Sequence, residues 1–327
     1  MKQARWIALT ILLIVVASSQ AQTDPQLGQY MHLQQAYNPA AAGDGDLMRV
    51  AGMHRMQFTG ISNFPMTTYF TFCSPFVINN TKHAAGVRFL NDMYGLFSNQ
   101  SFHVQYAYRH KIGNGYLSAG IDLGFVNMSF KTDSINLGQI ANEVGEGDFF
   151  YENDPAIPKG SGEKGSNGMT FDMGLGLYYS APTWWAGISY SHLTRPKVEW
   201  SDQSEITLVG TLYMAGGYNW KLKYAPQWVL KPSIMVMTDF TNWDVNLTML
   251  AEWKERVRFG LGYRIAGSVN VLLGVDIVSG LQLGYTFELP ANKLIRATYG
   301  SHEIYLAYGF NILKPKRTNK YKSVRYL

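Results

Sequence analysis

Three stretches of this chain hold residue types that could do chemistry. Ser301, His302 and Glu303 stand side by side, offering the hydroxyl, imidazole and carboxylate of a hydrolytic relay. The acidic run NEVGEGDFFYENDP, residues 142–155, brings Glu143, Glu146, Asp148, Glu152 and Asp154 together, oxygen donors of the kind that hold calcium. GLGYRIAG, residues 260–267, has the glycine density of a phosphate-binding turn. Each fails on spacing. Neighbouring residues on a strand point to opposite faces, so Ser301 and His302 cannot pair as nucleophile and base. The acidic run lacks EF-hand spacing and reads as a solvated loop. The glycines fall on alternate strand positions, with no strand-to-helix turn to frame a nucleotide. We therefore expect no catalytic residue, no metal site and no cofactor.

Whatever these residues do depends on the elements that carry them. The chain has 327 residues. It opens with Lys2 and Arg5, an apolar run from Trp6 to Val16, and the small-residue stretch Ala17, Ser18, Ser19, Gln20, Ala21. That is the pattern of a secretory signal peptide, expected over residues 1–21 with cleavage near Ala21. The run is too short to span a bilayer as a helix, which takes roughly 20 residues. The single cysteine, Cys73, excludes a disulfide framework within the chain. Taking Lys2 and Arg5 from the 28 basic residues leaves 26 against 23 acidic, a net charge near +3. Lys314, Lys316, Arg317, Lys320, Lys322 and Arg325 supply +6 of it, so the body is near −3 and no nucleic-acid surface is expected.

Charged residues make up only 16% of the chain, aromatics 14%, and there are 32 glycines. An exported chain of this composition without a spanning helix is either a secreted β-protein or an outer-membrane barrel. A period of two decides between them. In LQLGYTFEL, residues 281–289, one face is Leu281, Leu283, Tyr285, Phe287 and Leu289, and the other is Gln282, Gly284, Thr286 and Glu288. VRFGLGYRI (257–265), FDMGLGLYY (171–179) and LSAGIDLGF (117–125) repeat the pattern. Glycine, Asp and Arg suit the inward face of a membrane barrel better than the wet face of a soluble sheet.

Strands are predicted at 47–57, 65–74, 83–93, 99–111, 115–130, 168–180, 183–191, 206–221, 226–238, 243–253, 257–265, 268–277, 279–287 and 302–312. The fold class is thus all-β, a closed antiparallel transmembrane barrel of about 14 strands in the bacterial outer membrane. An even number returns both barrel termini to one side, expected to be periplasmic. The longest connections, 131–167, 192–205 and 289–301, then all follow odd strands and face outward. The expected division is a leader over 1–21, a periplasmic N-terminal segment over 22–46, the barrel over 47–312 and a basic periplasmic tail over 313–327. Trp184, Trp185, Trp200, Trp220 and Trp228 sit near strand ends, where they are expected to anchor the barrel in outer-membrane lipid. Arg55, His302 and Glu303 are expected in a polar network of the lumen or its rim, since buried charges must pair.

The opening of the mature chain resembles the PorP/SprF family, outer-membrane proteins of the type IX secretion system. The resemblance rests on Gln29-Tyr30-Met31, on Asn38-Pro39-Ala40 with Gly43, and on Arg55-x-Gln57-Phe58-x-Gly60 followed by Pro65. It continues through GVRF at 86–89, Asn91-Asp92, Tyr106-Ala107-Tyr108-Arg109, GSHEI at 300–304, and SVRY at 323–326. Ala41, Phe58 and Leu327 depart from the aromatic, Trp and final aromatic common in the family. The resemblance implies a barrel without enzymatic activity that supports protein secretion, gliding motility or surface attachment of adhesins. Its implied partners are periplasmic ring or other secretion-system components and a secreted client protein. The residues leave two roles open, a ring-associated component or a dedicated adhesin partner, and an outer-membrane porin or hydrophobic-solute transporter stands as the alternative. Tyr30, Asn38, Pro39, Gly43, Arg55, Gln57, His302 and Glu303 carry the family motif. The basic tail is the expected partner-binding element: Lys314, Lys316, Arg317, Lys320, Lys322 and Arg325 against an acidic surface, with Tyr321 and Tyr326 as aromatic anchors.

Overall fold

The computed structural model describes residues 24–45, 47–130, 166–201 and 204–311. Fourteen strands close a barrel: β1 (Met48–Met56), β2 (Met66–Ile78), β3 (Thr81–Tyr94), β4 (Phe97–Ile112), β5 (Gly115–Phe130), β6 (Ser166–Ser180), β7 (Trp184–Ser191), β10 (Thr211–Tyr218), β12 (Trp228–Thr238), β13 (Trp243–Trp253), β14 (Val257–Arg264), β15 (Ser268–Val278), β16 (Leu281–Pro290) and β17 (Ser301–Phe310). A separate hairpin, β8 (Lys197–Ser201) with β9 (Ser204–Thr207), lies between β7 and β10, and β11 (Trp220–Lys221) briefly extends the ladder beside β12. Every barrel pairing is antiparallel, and β1 seals against β17 through nine matched residues from Met48↔Phe310 to Met56↔His302. β10 against β12 completes the ring, so among the described residues the barrel itself has no open sheet edge.

The alternation in the sequence becomes an inside and an outside. On β4, Phe102 and Val104 are half exposed toward lipid, while Ser101, His103, Gln105 and Ala107 between and beside them are buried. Tight turns gather at the end where β1 begins and β17 stops, here termed the turn end. Asn79 and Asn80 join β2 to β3 with both residues at positive φ, and Gly113 at φ +58° opens the two-residue link from β4 to β5. These are the left-handed conformations that two-residue hairpins require. Most of the longer connections gather at the opposite, loop end.

Two expectations need correction. The strand predicted at 206–221 is three elements: β9 in the hairpin, β10 in the wall and the short β11 beside β12. The apolar alternation runs through the first two, but Ile206 and Leu208 bury against Val126, Met128 and Val198 instead of facing lipid. The backbone leaves the ladder between β9 and β10, where Leu208 N–H donates to Pro196 O at 2.9 Å. Trp185 does not anchor in lipid: it faces inward on Tyr178, with ring centroids 6.2 Å apart. Trp184 is 42% exposed and Trp220 57%, on the outer surface near the turn end, as expected of interface anchors. The side chain of Trp200 lies outside the described residues.

Candidate functional site

The segment expected to precede the barrel runs through its interior. Asp24 lies near the loop end, where its carboxylate meets His192 Nε2 at 3.1 Å and accepts from the Tyr213 hydroxyl. Asp44 lies near the turn end, with one oxygen 3.3 Å from Arg109 Nη2 and the other 3.2 Å from the Tyr178 hydroxyl. Residues 24–45 thus span both ends instead of standing on one side, because a turn of chain before β1 folds them back up the lumen. Leu27, Tyr30, Leu33, Ala36 and Tyr37 pack with Met53, Tyr69, Leu90, Tyr213, Met235 and Tyr305 into the main apolar core. Burying each large side chain contributes about 1.5–3 kcal/mol.

Two short 3-10 turns, Gln34–Ala36 and Pro39–Ala41, shape the lower half of the segment. Asn38 begins the second: its Oδ1 accepts from Ala40 N at 2.9 Å, and Pro39 supplies the fixed φ that a first helical position favours. The amide nitrogen of Asn38 reaches the wall and donates to Leu177 O at 3.1 Å. Gly43 turns the chain out at φ +73°, and a Cβ there would sit 2.3 Å from Ala84 Cβ. The motif residues Asn38, Pro39 and Gly43 therefore shape this internal turn.

Inward glycines make room for it. A Cβ on Gly120 would lie 2.3 Å from the backbone nitrogen of Ala40, and one on Gly176 would lie 2.1 Å from Asn38 Oδ1. The wall is cut back where the segment's main chain lies against it. Side chains add direct clamps. Gln35 Nε2 and Gln105 Oε1 pair at 2.9 Å, Gln105 Nε2 returns a bond to Gln35 O at 3.2 Å, and Ser189 Oγ donates to Tyr37 O at 2.6 Å.

Two charge networks complete the hold. In one, the Glu303 carboxylate accepts from the backbone N–H groups of Gly28 at 2.8 Å and Gln29 at 2.7 Å. Arg55 bridges Glu303 at 3.3 Å and Glu288 at 2.6 Å; Arg264 continues from Glu288 at 2.8 Å to Asp244 at 3.5 Å. In the other, Arg88 donates to Ala36 O at 3.1 Å and pairs with Asp122 at 3.1 Å, while Asp172 binds both His103 at 3.1 Å and His192 at 2.8 Å. Burial opposes a charge on His192, which lies just beyond β7, but Asp24 and Asp172 prevail and raise its pKa to about 10. Burial likewise works against the Asp24 carboxylate, and His192 outweighs it to hold that pKa below the usual range. Buried pairs of this kind are costly to break, about 3–5 kcal/mol when one partner is removed.

The predicted site residues divide. Tyr30, fully buried with its hydroxyl 2.9 Å from Ser233 Oγ, joins Asn38, Pro39, Gly43, Arg55 and Glu303 at the contact between segment and wall. Gln57 lines a cavity at the loop-end mouth. His302 parts from its expected network: strand alternation turns it outward, where Nδ1 meets the Tyr285 hydroxyl at 2.7 Å and the ring lies against Phe287. Lys314, Lys316, Arg317, Lys320, Tyr321, Lys322, Arg325 and Tyr326 lie outside the described residues. Sequence reasoning passed over Asp24, Arg88, His103, Asp122, Asp172, His192, Arg264 and Glu288 as a set. Charged residues at inward positions of apolar strands were the available signal.

The family described as type IX secretion system membrane protein PorP/SprF matches residues 19–308. Among solved structures, the chain is similar to the toluene transporter TbuX of Ralstonia pickettii, at 12% identity and a TM-score of 0.47, over 84% of this chain and 92% of that one. It is similar also to the outer membrane protein Omp33 of Acinetobacter baumannii, at 8% identity and a TM-score of 0.46, over 81% of this chain and 98% of that one. No curated protein sequence matches it.

Proposed function

This chain belongs to the PorP/SprF family of type IX secretion system membrane proteins, and on that premise we propose that it is an accessory, interaction-based barrel of the secretion apparatus. In this reading it supports secretion or surface attachment of client proteins, adhesins of gliding cells among them, through periplasmic partners. The observation that carries the reading is the occupied lumen. Residues 24–45 are held by side chains of β3, β7 and β17 and packed into the apolar core of the lumen, so the barrel offers its rims, not a wide passage, to other molecules. A porin or hydrophobic-solute transporter would need that segment to leave.

The start of β1 and the end of β17 face the periplasm in this reading, and the basic tail beyond β17 docks on an acidic partner there. Lys314, Lys316, Arg317, Lys320, Lys322 and Arg325 provide the charge, Tyr321 and Tyr326 the anchors. The test is crosslinked pull-down from cells expressing either the full chain or a chain lacking residues 314–327. Secretion-system components should be recovered with the first and depleted with the second. Recovery of none with the full chain would sink the proposal, and equal recovery with both would sink the role of the tail. Planar-bilayer recordings address the alternative, since a steady large conductance of the intact protein would favour a porin.

A further inference from the structure

At the loop-end mouth, the start of the internal segment and the inner wall enclose a cavity of about 280 Å³. Strand register sets one side of it: Thr67 pairs with Asp92 across β2 and β3, and Asp92 pairs with Asn99 across β3 and β4. Facing residues in such a row hold their Cβ atoms roughly 4.5–5.5 Å apart, so the Asp92 carboxylate and the Asn99 amide share one small space. Asp92 is only 8% exposed. Its Oδ1 accepts from the Thr67 hydroxyl at 2.6 Å. Among the described residues, the ion pairs of this region join Asp24 and Asp172 to His192 and Asp122 to Arg88, and they leave Asp92 out. Oδ1 of Asn99 is buried beside it with no donor among the described residues.

The charge count points the same way. Among the described residues, the carboxylates of Asp24, Asp122 and Asp172 pair with Arg88, His103 and His192, and Asp92 adds a fourth to the cavity lining. Even if both imidazoles were protonated, one negative charge would be unmatched among these described residues. A buried carboxylate without a cation and a buried carbonyl without a donor are both expensive, and one cationic group rich in N–H donors would satisfy both. A calcium ion wants six to eight oxygens, more than Asp92 and Asn99 supply. A guanidinium fork wants both carboxylate oxygens free, and Thr67 holds one. An ammonium group, compact and carrying three donors, fits the remainder.

We propose that this cavity is a binding site for an alkylammonium group, seated on the Asp92 carboxylate and the Asn99 carbonyl with Tyr94 alongside. Two sources carry that chemistry. One is a small amine from the medium. The other is the α-amino group that removal of the leader near Ala21 would create, about two residues ahead of Asp24 and therefore within roughly 7 Å of chain reach.

The experiment uses the purified full mature chain in detergent micelles, with heat-modifiable gel mobility as the check on folding. One arm measures acylation of the α-amino group at neutral pH by mass spectrometry. The other titrates n-butylammonium chloride against the protein, with sodium butyrate as the control. If the chain's own amine is seated, its acylation is slower by about tenfold in the wild type than in D92N, the equivalent of about 1.4 kcal/mol. If a small amine is taken instead, n-butylammonium binds saturably, butyrate does not, and D92N loses the binding. N99D adds a charge without removing the first and strengthens whichever effect is present, which keeps the proposal testable should D92N fail to fold. Equal acylation of the wild type and N99D, together with no saturable butylammonium binding to either, overturns it.

Discussion

The two long walls of the lumen treat the internal segment differently. From β3 to β7 the wall is shaped to it: Gly120 admits its main chain at Ala40 and Gly176 admits the Asn38 side chain, and Gln105, Arg88 and Ser189 bond to its carbonyls. From β13 to β16 the wall pairs its charges through Asp244, Arg264 and Glu288 but leaves several neutral polar groups unmatched. Asn246, Asn270 and Thr286 are each at most 3% exposed, yet their side-chain polar atoms have no protein partner among the described residues. Buried groups of that kind are matched by ordered water, about three bonds to each molecule. The segment's carbonyls are therefore gripped mainly by the β3–β7 wall, with its start held by Glu303 of β17 and Tyr30 set against Ser233 of β12.

The largest expected effect comes from spoiling the shaped wall. Valine at both Gly120 and Gly176 should force the segment out and give ion conductance in planar bilayers where the wild type gives little; recordings as closed as wild type would break the comparison. Next comes Arg88→Met, which leaves Asp122 uncompensated and the Ala36 carbonyl without its donor. It should cost about 3–5 kcal/mol in thermal unfolding followed by gel mobility. A loss as small as that from the opposite wall would erase the contrast.

The loop-end latch should respond to pH. His192 has its pKa raised from 6.5 to about 10, so its contribution is full below 6.5 and is lost as pH climbs through about 10. Asp24 has its pKa lowered, so its contribution is full above the ordinary carboxylate range and is lost as pH falls through the depressed value. Protease nicking near Asp24 should be slowest at mid-range pH and accelerate beyond pH 10, and His192→Gln should flatten the alkaline limb. The smallest effect belongs to the unmatched wall. Thr286→Val and Asn270→Leu remove groups with no protein partner among the described residues and should each change stability by about 1 kcal/mol or less. A larger loss would mean that this wall also specifies the segment.

How much of this was legible in the sequence follows from where the periodicity lay. Strand residues repeat every two, and lipid outside against a polar lumen makes that repeat clear, so all fourteen barrel strands could be placed. The break at 208–210 was invisible because Ile206 and Leu208 keep the same alternation while burying against Val126 and Met128. The internal segment has no period at all. Its apolar residues are held by walls hundreds of residues away in the chain, as Gly28 is by Glu303, and nothing local announces such a contact. The one trace was indirect: glycines on inward strand faces suit a wall that another backbone approaches closely. His302 was misjudged by association with Glu303, although the pleat sends the two to opposite sides.

The seam between β1 and β17 has a consequence for biogenesis. A strap whose main chain lies within van der Waals range of the wall cannot be threaded through a finished cylinder. It has to be laid down while the ring is still open, and β1, its direct continuation, cannot zip to the last-made strand until it is in place. Closure of that nine-residue seam is then a checkpoint on the order of assembly: a barrel that sealed early would be left with its own beginning outside.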